Sequence, residues 1–488
     1  MVPIVMTISY IIATFIIGIY VARRNTTVQE LLIAKRNIPF ILIAPLCAAE
    51  LLGGSGTVGS TTEAMSMGLS TIWSTIGLSL GCICFVIFFS RFYRALSVTR
   101  GVISMPEAYQ IRFDKKTRMA MLIILSFSYS ILFALQPISA ASILAPMFGI
   151  EINTVIYISG AIFICVAVVG GIKGISWMNI VHIFFIIFGM LIVALLSVDK
   201  AGGMDAIASR VPPEFLTLNQ PSSLSVVLWV LGGTLSQMAS AVMLSICLGG
   251  RELRKTQIGT VLGALILIPF SFLPALIGIS AHVTMPDIVV KTALFEMANS
   301  ISPLVSGLAS MAVVAAIFST APALLLVVTA TMTQDFYKGL INPKANEKQA
   351  LWFARISTIV IGIVVTVLST RLQSVFKSTV AAMQIRAVGG FVLLIGIFWP
   401  RVNGTAAFWA ILGGGVLAAV WYFIGNPFGI EPLLPAVLFS IAVIVPLSLL
   451  SKDRIAPGYS ECKNALEEFN SMEATKGRYS TVIPIEQR

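Results

Sequence analysis

Apolar runs long enough to cross a bilayer recur along most of this 488-residue chain, and nothing else limits its fold as strongly. A spanning helix needs about 20 mostly apolar residues. Such runs fall near 3–22, 40–65, 70–93, 117–146, 152–172, 176–198, 222–248, 256–283, 300–334, 351–370, 376–398, 405–424 and 432–451. The first has no basic start and no small-residue cleavage site before Arg23-Arg24, so it reads as a span and not a secretory signal. Charged residues make up 11% of the chain and apolar ones 57%, with a mean hydropathy of +0.95. An ordinary soluble domain carries about 25% charge. A soluble enzyme, a nucleic-acid binder and a disordered chain are thereby excluded. Six scattered cysteines show neither disulfide nor zinc spacing. The expectation is an all-α integral membrane protein of about 13 transmembrane helices.

The net charge of +11 is mostly topology. Of the 32 Lys and Arg residues, 26 fall on alternate loops and the tail, among them Arg91, Arg94, Arg100, Arg112, Arg118, Arg251 and Lys338. The opposite loops hold five, Lys200, Arg210, Lys291, Arg371 and Lys377, and Arg386 lies inside a span. The positive-inside bias then puts the N-terminus outside and the tail in the cytoplasm of a cell membrane. The tail from Lys452 is polar and reads as flexible.

Two spans carry glycines where a helix tolerates them poorly. The second contains Leu51-Leu52-Gly53-Gly54-Ser55-Gly56-Thr57, and five spans later the seventh contains Gly232-Gly233-Thr234. Each glycine weakens a helix by about 1 kcal/mol relative to alanine, although small residues also serve close packing between membrane helices. Paired interruptions at matching places predict two five-helix repeats, 40–198 and 222–398, the second inverted because five spans reverse the chain's direction. Around them lie an extra N-terminal helix at 1–22, two C-terminal helices at 405–451 and the tail at 452–488. Broken helices near the midplane point to a transporter's binding site. In the ninth span the Ala316 carbonyl and the hydroxyls of Ser319 and Thr320 share one helix face, the uncharged oxygen chemistry that a small hard cation wants. Membrane Ser and Thr also bond back to their own helix, so the spacing alone leaves both readings open.

Four further stretches carry a likeness: Glu30-Leu31-Leu32-Ile33-Ala34-Lys35-Arg36-Asn37-Ile38-Pro39, Met105-Pro106-Glu107, Gly170-Gly171-Ile172-Lys173-Gly174 followed by Trp177, and, most specific, Ala315-Ala316-Ile317-Phe318-Ser319-Thr320 running on to Thr333-Gln334-Asp335-Phe336-Tyr337-Lys338. At these stretches the chain resembles the solute:sodium symporter family. The resemblance implies a LeuT-like core and a sodium held by the backbone carbonyls of Ala49, Leu52 and Ala316 with the hydroxyls of Ser319 and Thr320. Where many relatives have an Asp this chain has Asn179, and where some have a serine pair it has Pro322 and Ala323. The latter two offer no side-chain oxygen, which implies one coupling sodium. The family's proline carriers have an acidic residue where Leu51 stands, which argues against proline as the solute.

Glu50 and Arg386 lie inside spans, where charges are costly and usually paired or functional. One reading pairs them as a clamp or gate; another has Arg386 receive a solute carboxylate through its planar fork. Glu63, near the outer end of its span, is expected to be wetted. His182 is a candidate proton group or an interhelical hydrogen-bonding residue. Gly53, Ser55, Thr57, Gln136, Ser236, Gln237, Gln384 and Arg386 are the candidate solute contacts. The scarcity of acidic groups among them favours a small neutral or anionic organic solute. The sequence shows no nucleophile–base pair and no phosphate loop, so no enzyme is expected. The reading is a sodium-coupled symporter of a small organic solute, with sodium its one ion, the bilayer its surroundings, and no nucleic acid or obligate protein partner. The alternatives are a proton-coupled carrier using Glu50 or His182, or a transporter-derived sensor, for which a tail of this length leaves little room.

Overall fold

The computed structural model describes residues 1–22, 37–169, 172–372 and 374–476. The stretches 30–36 and 170–171, which carry part of the resemblance, lie outside the described residues. Within hydrocarbon a backbone N–H or C=O finds no partner except its own helix, so each apolar run winds up. In chain order the helices are α1 (Val2–Ala22), α2 (Phe40–Leu51), α3 (Ser60–Met67), α4 (Ile72–Cys84), α5 (Ser90–Arg100), α6 (Met105–Arg112) and α7 (Lys115–Phe148). Then come α8 (Ile152–Val169), α9 (Ile172–Lys200), α10 (Gly203–Arg210), α11 (Ser223–Met238), α12 (Ala241–Gly249) and α13 (Leu253–Thr284). The rest are α14 (Ala293–Ile301), α15 (Pro303–Thr331), α16 (Glu347–Ser369), α17 (Val375–Phe398), α18 (Gly404–Phe423), α19 (Leu433–Leu449) and α20 (Pro457–Lys476). Eight helical stretches among the described residues are long and apolar enough to cross a membrane, nine if the bent pair α11–α12 counts as one. Shorter apolar helices include α2, α19 and most of α8.

Helix starts follow local chemistry. Ser104 and Glu107 form a reciprocal cap on α6, and Asn346 and Gln349 do the same on α16. Asp114 caps α7 and Ser302 caps α15. The helix most enclosed by others is α15, its apolar window 94% buried against 28% for α16, so α15 is central and α16 lies at the rim. It packs on α7, α9 and α1.

Two expectations need correction. The seventh span does not break at its glycines: Gly232 and Gly233 lie within α11, and the 46° bend comes between Met238 and Ala241. The glycines serve contact instead, since a Cβ on Gly233 would sit 2.7 Å from the Gly77 backbone. The tail is not a free strand of polar residues either, because α20 buries Cys462, Ala465 and Phe469. Two of the resembling stretches meet at the basic end of the bundle. Gln334 donates to Glu107 (2.8 Å), Ser104 to Asp335 (2.9 Å), and Arg118 pairs with Asp335 (2.7 Å).

Candidate functional site

The second span leaves helical geometry at Leu52 and Gly53 and resumes as a wide π turn, Ser55–Gly59, before α3. A helix that stops in mid-membrane releases carbonyls from their usual partners. The hydroxyls of α15 face that stop. Ser319 Oγ donates to Ala49 O (2.9 Å) and to Ala316 O (2.7 Å), and lies 3.2 Å from Thr320 Oγ1. Thr320 Oγ1 lies 3.3 Å from Ala49 O and 3.4 Å from Glu50 O. Both hydroxyls and the carbonyls of Ala49 and Ala316 are thus brought together, joined by the Glu50 carbonyl, which the sequence did not suggest. The Leu52 carbonyl makes none of these contacts. Gly53 is needed for the approach: a Cβ there would stand 2.9 Å from Thr320 Oγ1. Four or more uncharged oxygens within a buried space suit a small hard cation.

Beyond the break, Gly54 N donates to Gln136 Oε1 (3.0 Å), and a Cβ on Gly54 would collide with Ser139 at 2.4 Å. Thr57 bonds back to Gly53 O and Gly54 O, whereas Ser55 is half-buried and offers its backbone carbonyl to Ser60. The second break carries a different chemistry. Ser240 caps α12, and the Tyr129 hydroxyl of α7 lies 3.0 Å from Ser240 Oγ while accepting from Val242 N (3.4 Å). Arg386 donates to Ser236 O (3.1 Å) and Ser236 Oγ (3.4 Å), with its guanidinium 4.7 Å from the centre of the Tyr129 ring. Gln237, next to Ser236, is buried, and its Oε1 has no hydrogen-bond partner.

The Glu50–Arg386 ion pair is not formed. Arg386 turns to the α11 backbone and Tyr129, and Glu50 is buried with Oε1 unpartnered. Gln384 also departs from its expected place. Residues two apart on a helix diverge by about 200°, so it faces Gly232 and the start of α19, accepting from Leu433 N (3.3 Å), away from Arg386. Glu63 is buried rather than wetted, and Lys377 stands 3.6 Å from it. His182 shares a hydrogen bond with Tyr10 of α1, while neither side-chain atom of buried Asn179 is bonded. The sequence reading missed Tyr129 and Glu431. Tyr129 signalled itself only as a hydroxyl within an apolar run. Glu431 gave no signal, because a loop places it. Its carboxylate accepts from Trp229 Nε1 (2.9 Å), and burial pushes it above the ordinary carboxylate range, the Trp229 bond and Lys377 opposing.

Interrupted helices laid against a hydroxyl-bearing central helix in a multi-span bundle are the architecture of a membrane transport protein. Comparison with known proteins narrows the class. The sodium:solute symporter family profile matches residues 31–414, and the chain belongs to that family. It is 22% identical over 462 residues to the osmoregulated proline transporter OpuE of Bacillus subtilis, covering 91% of this chain and 94% of the relative. It is 23% identical over 469 residues to the sodium/proline symporter of Escherichia coli, covering 91% and 92%. Among solved structures it resembles a Na+-coupled sialic acid symporter in a substrate-bound outward-open state, with TM-score 0.76, 16% identity, and 93% and 98% coverage. It also resembles Mhp1, a nucleobase-cation-symport-1 family transporter, with TM-score 0.55, 17% identity, and 91% and 99% coverage. These structural likenesses establish the shared LeuT-like helical fold.

Proposed function

We propose that this chain imports a small organic solute together with one sodium ion across a cell membrane, N-terminus outside and tail in the cytoplasm. The single observation that carries the reading is the convergence of Ser319 and Thr320 hydroxyls on the Ala49 carbonyl where α2 stops. Sodium would be held by the carbonyls of Ala49, Leu52 and Ala316 with those two hydroxyls, tying the broken span to α15. The repeats would run from 40–198 and, inverted, from 222–398, with 1–22 and 405–451 outside them. Solute would bind between the two breaks, near Gly53, Ser55, Gln136, Ser236, Gln237 and Arg386. Rocking of the broken-helix bundle against α7, α8, α15 and α16 would then expose both cargoes inward. Each net charge moved gains about 2.3 kcal/mol per 100 mV of membrane potential.

Arg386 is buried and pairs with no carboxylate among the described residues, which supports an anionic group on the solute. Asn179, Pro322 and Ala323 support a single sodium. OpuE and the Escherichia coli relative are proline transporters and the first structural neighbour is a sialic acid symporter, and Leu51 argues against assuming proline here. The test is sodium-dependent thermal stabilisation of purified protein across a panel of organic acids, since ligands of the native state raise Tm by mass action. Sodium is expected to stabilise the wild type where choline does not. Ser319→Ala and Thr320→Ala should each raise the sodium concentration needed by at least about ten-fold, or about 1.4 kcal/mol. An equal response to sodium and choline, or an unchanged midpoint in both variants, overturns the reading.

A further inference from the structure

The helix α20 lies across a seam in the basic face of the molecule. On one side of the seam, three elements of the broken-helix bundle are tied into one body. Ile38 N donates to Gly249 O (2.9 Å), Arg251 N to Ile38 O (3.4 Å), and buried Arg94 donates to the carbonyls of Leu248 and Gly250 (3.3 and 2.6 Å). The start of α2, the end of α12 and α5 are therefore a unit. On the other side, α6 is fastened to α7 and the end of α15 through the Glu107, Arg118, Gln334 and Asp335 contacts given above. Arg112 joins α17 to this second body by donating to Gly396 O (2.8 and 2.6 Å) and Val402 O (3.1 Å). Only residues 101–104 link α5 to α6, beginning at Gly101 with φ of 73°.

The two sides hold α20 by different chemistry. Towards α6 and α17 the contacts are backbone and close packing. Ala456 N donates to Pro400 O (2.9 Å), the Arg112 guanidinium lies 5.5 Å from the Tyr459 ring centre, and a Cβ on Gly458 would fall 2.2 Å from Arg112 O. Towards α5 the helix also packs closely, with buried Phe469 lying 5.9 Å from the Arg91 guanidinium, and the polar contacts added there come from charges at the surface. Arg100 pairs with Glu461 and with Glu468 (2.8 Å), and Arg91 pairs with Glu473 (3.0 Å) and donates to Asn470 (2.7 Å). Every one of these acidic partners is at least 40% exposed, so dissolved salt reaches the seam. Close packing on either side is indifferent to ionic strength, whereas the exposed ion pairs that supplement it on the α5 side are screened.

We propose that α20 is an ionic clamp, anchored on the α6–α17 side, whose acidic face holds α5 and so keeps the basic face of the transporter closed until cytoplasmic ionic strength rises. The clamp rests on the rocking motion and orientation proposed above. Its effect is to make opening on that face salt-dependent while the two breaks are unchanged.

The full chain in nanodiscs tests it without any need to know the solute. Spin labels at Lys255→Cys, exposed at the start of α13, which packs on α2, and at Lys344→Cys, exposed in the turn that follows the α15 end fastened to α6, report the width of the basic face by pulsed electron resonance. Ionic strength is raised with choline chloride from about 0.05 to 0.5 M, which contracts the screening length several-fold. In the otherwise wild-type chain the ratio of wide to narrow distances is expected to rise roughly three- to ten-fold. Glu461→Gln with Glu468→Gln should give the wide population at both concentrations. Exchanging the charges, Arg100→Glu with Glu461→Arg and Glu468→Arg, should restore the narrow one at low salt. A wild-type distance indifferent to salt, or a neutralised variant matching wild type at both concentrations, overturns the clamp. A distance that follows ionic strength yet ignores replacement of choline by sodium would sink the sodium reading and leave the clamp standing.

Discussion

The two interrupted spans stop for different reasons. The first opens at Leu52 and Gly53, where the missing Cβ lets Thr320 approach the backbone, and what it presents is a set of uncharged oxygens. The second bends at 238–241 with no glycine at the bend, held by the Ser240 cap, the Tyr129 hydroxyl and the Arg386 guanidinium. One break is shaped by the close approach of the Thr320 side chain to a bare glycine backbone, the other by polar side chains sent from neighbouring helices and by a cap of its own. Under the proposed function that difference assigns the ion to the first break and the organic group to the second, because an ion needs only oxygens whereas a solute needs directional partners.

The largest expected effect falls on the first break. Gly53→Ala should remove sodium-dependent stabilisation, because Thr320 would have to move by several tenths of an ångström, whereas Ala239→Gly at the second break should leave the sodium midpoint within two-fold. Melting curves against sodium distinguish them, and equal loss in both would erase the contrast between the breaks. A smaller effect should follow at the second. Arg386→Lys keeps the charge but loses the fork, and solute affinity is expected to fall roughly 10- to 100-fold at an unchanged sodium midpoint, a loss of about 1–3 kcal/mol for a charge-assisted bond. Competition in the thermal assay reads it, and a lysine variant with full affinity would show that only charge matters there.

The smallest effect lies outside both breaks. Glu431 is held above its ordinary range by burial, so the folded state binds its proton more tightly than the unfolded chain does. Such a group adds stability as pH falls from above its folded value towards the unfolded one, near 4.3, and loses it again as pH rises. Wild type minus Glu431→Gln should therefore gain Tm modestly between pH 7 and pH 5. An unchanged difference would mean that the carboxyl is no more buried than a surface one.

Most spans were legible in the sequence to within a few residues, because an apolar run in lipid has one way to satisfy its backbone. The oxygen cluster was half legible. Ser319 and Thr320 stand at helical spacing from Ala316, but their meeting with Ala49 and Glu50 joins residues some 270 positions apart. Side-chain partners across helices were not legible. Glu50 and Arg386 suggested a pair by charge alone, yet the rotation of α17 turns Arg386 onto Ser236 and Tyr129, and Gln384 to the opposite face. The break in the seventh span was misplaced for a related reason: glycine permits both a bend and a tight contact, and only the neighbour decides which. Gly77 lies against Gly233, so there it is contact.

Composition and run length by themselves determined that the chain lies in a membrane and is helical, since these follow from solvation of the backbone, while its glycines marked where the second span could be interrupted. Tertiary structure alone decided where the second interruption falls, that Arg386 is free of Glu50, and that α20 grips the end of α5. Each of those depends on which helix face meets which neighbour, and a few degrees of rotation or one turn of sliding changes the answer while leaving every local preference satisfied.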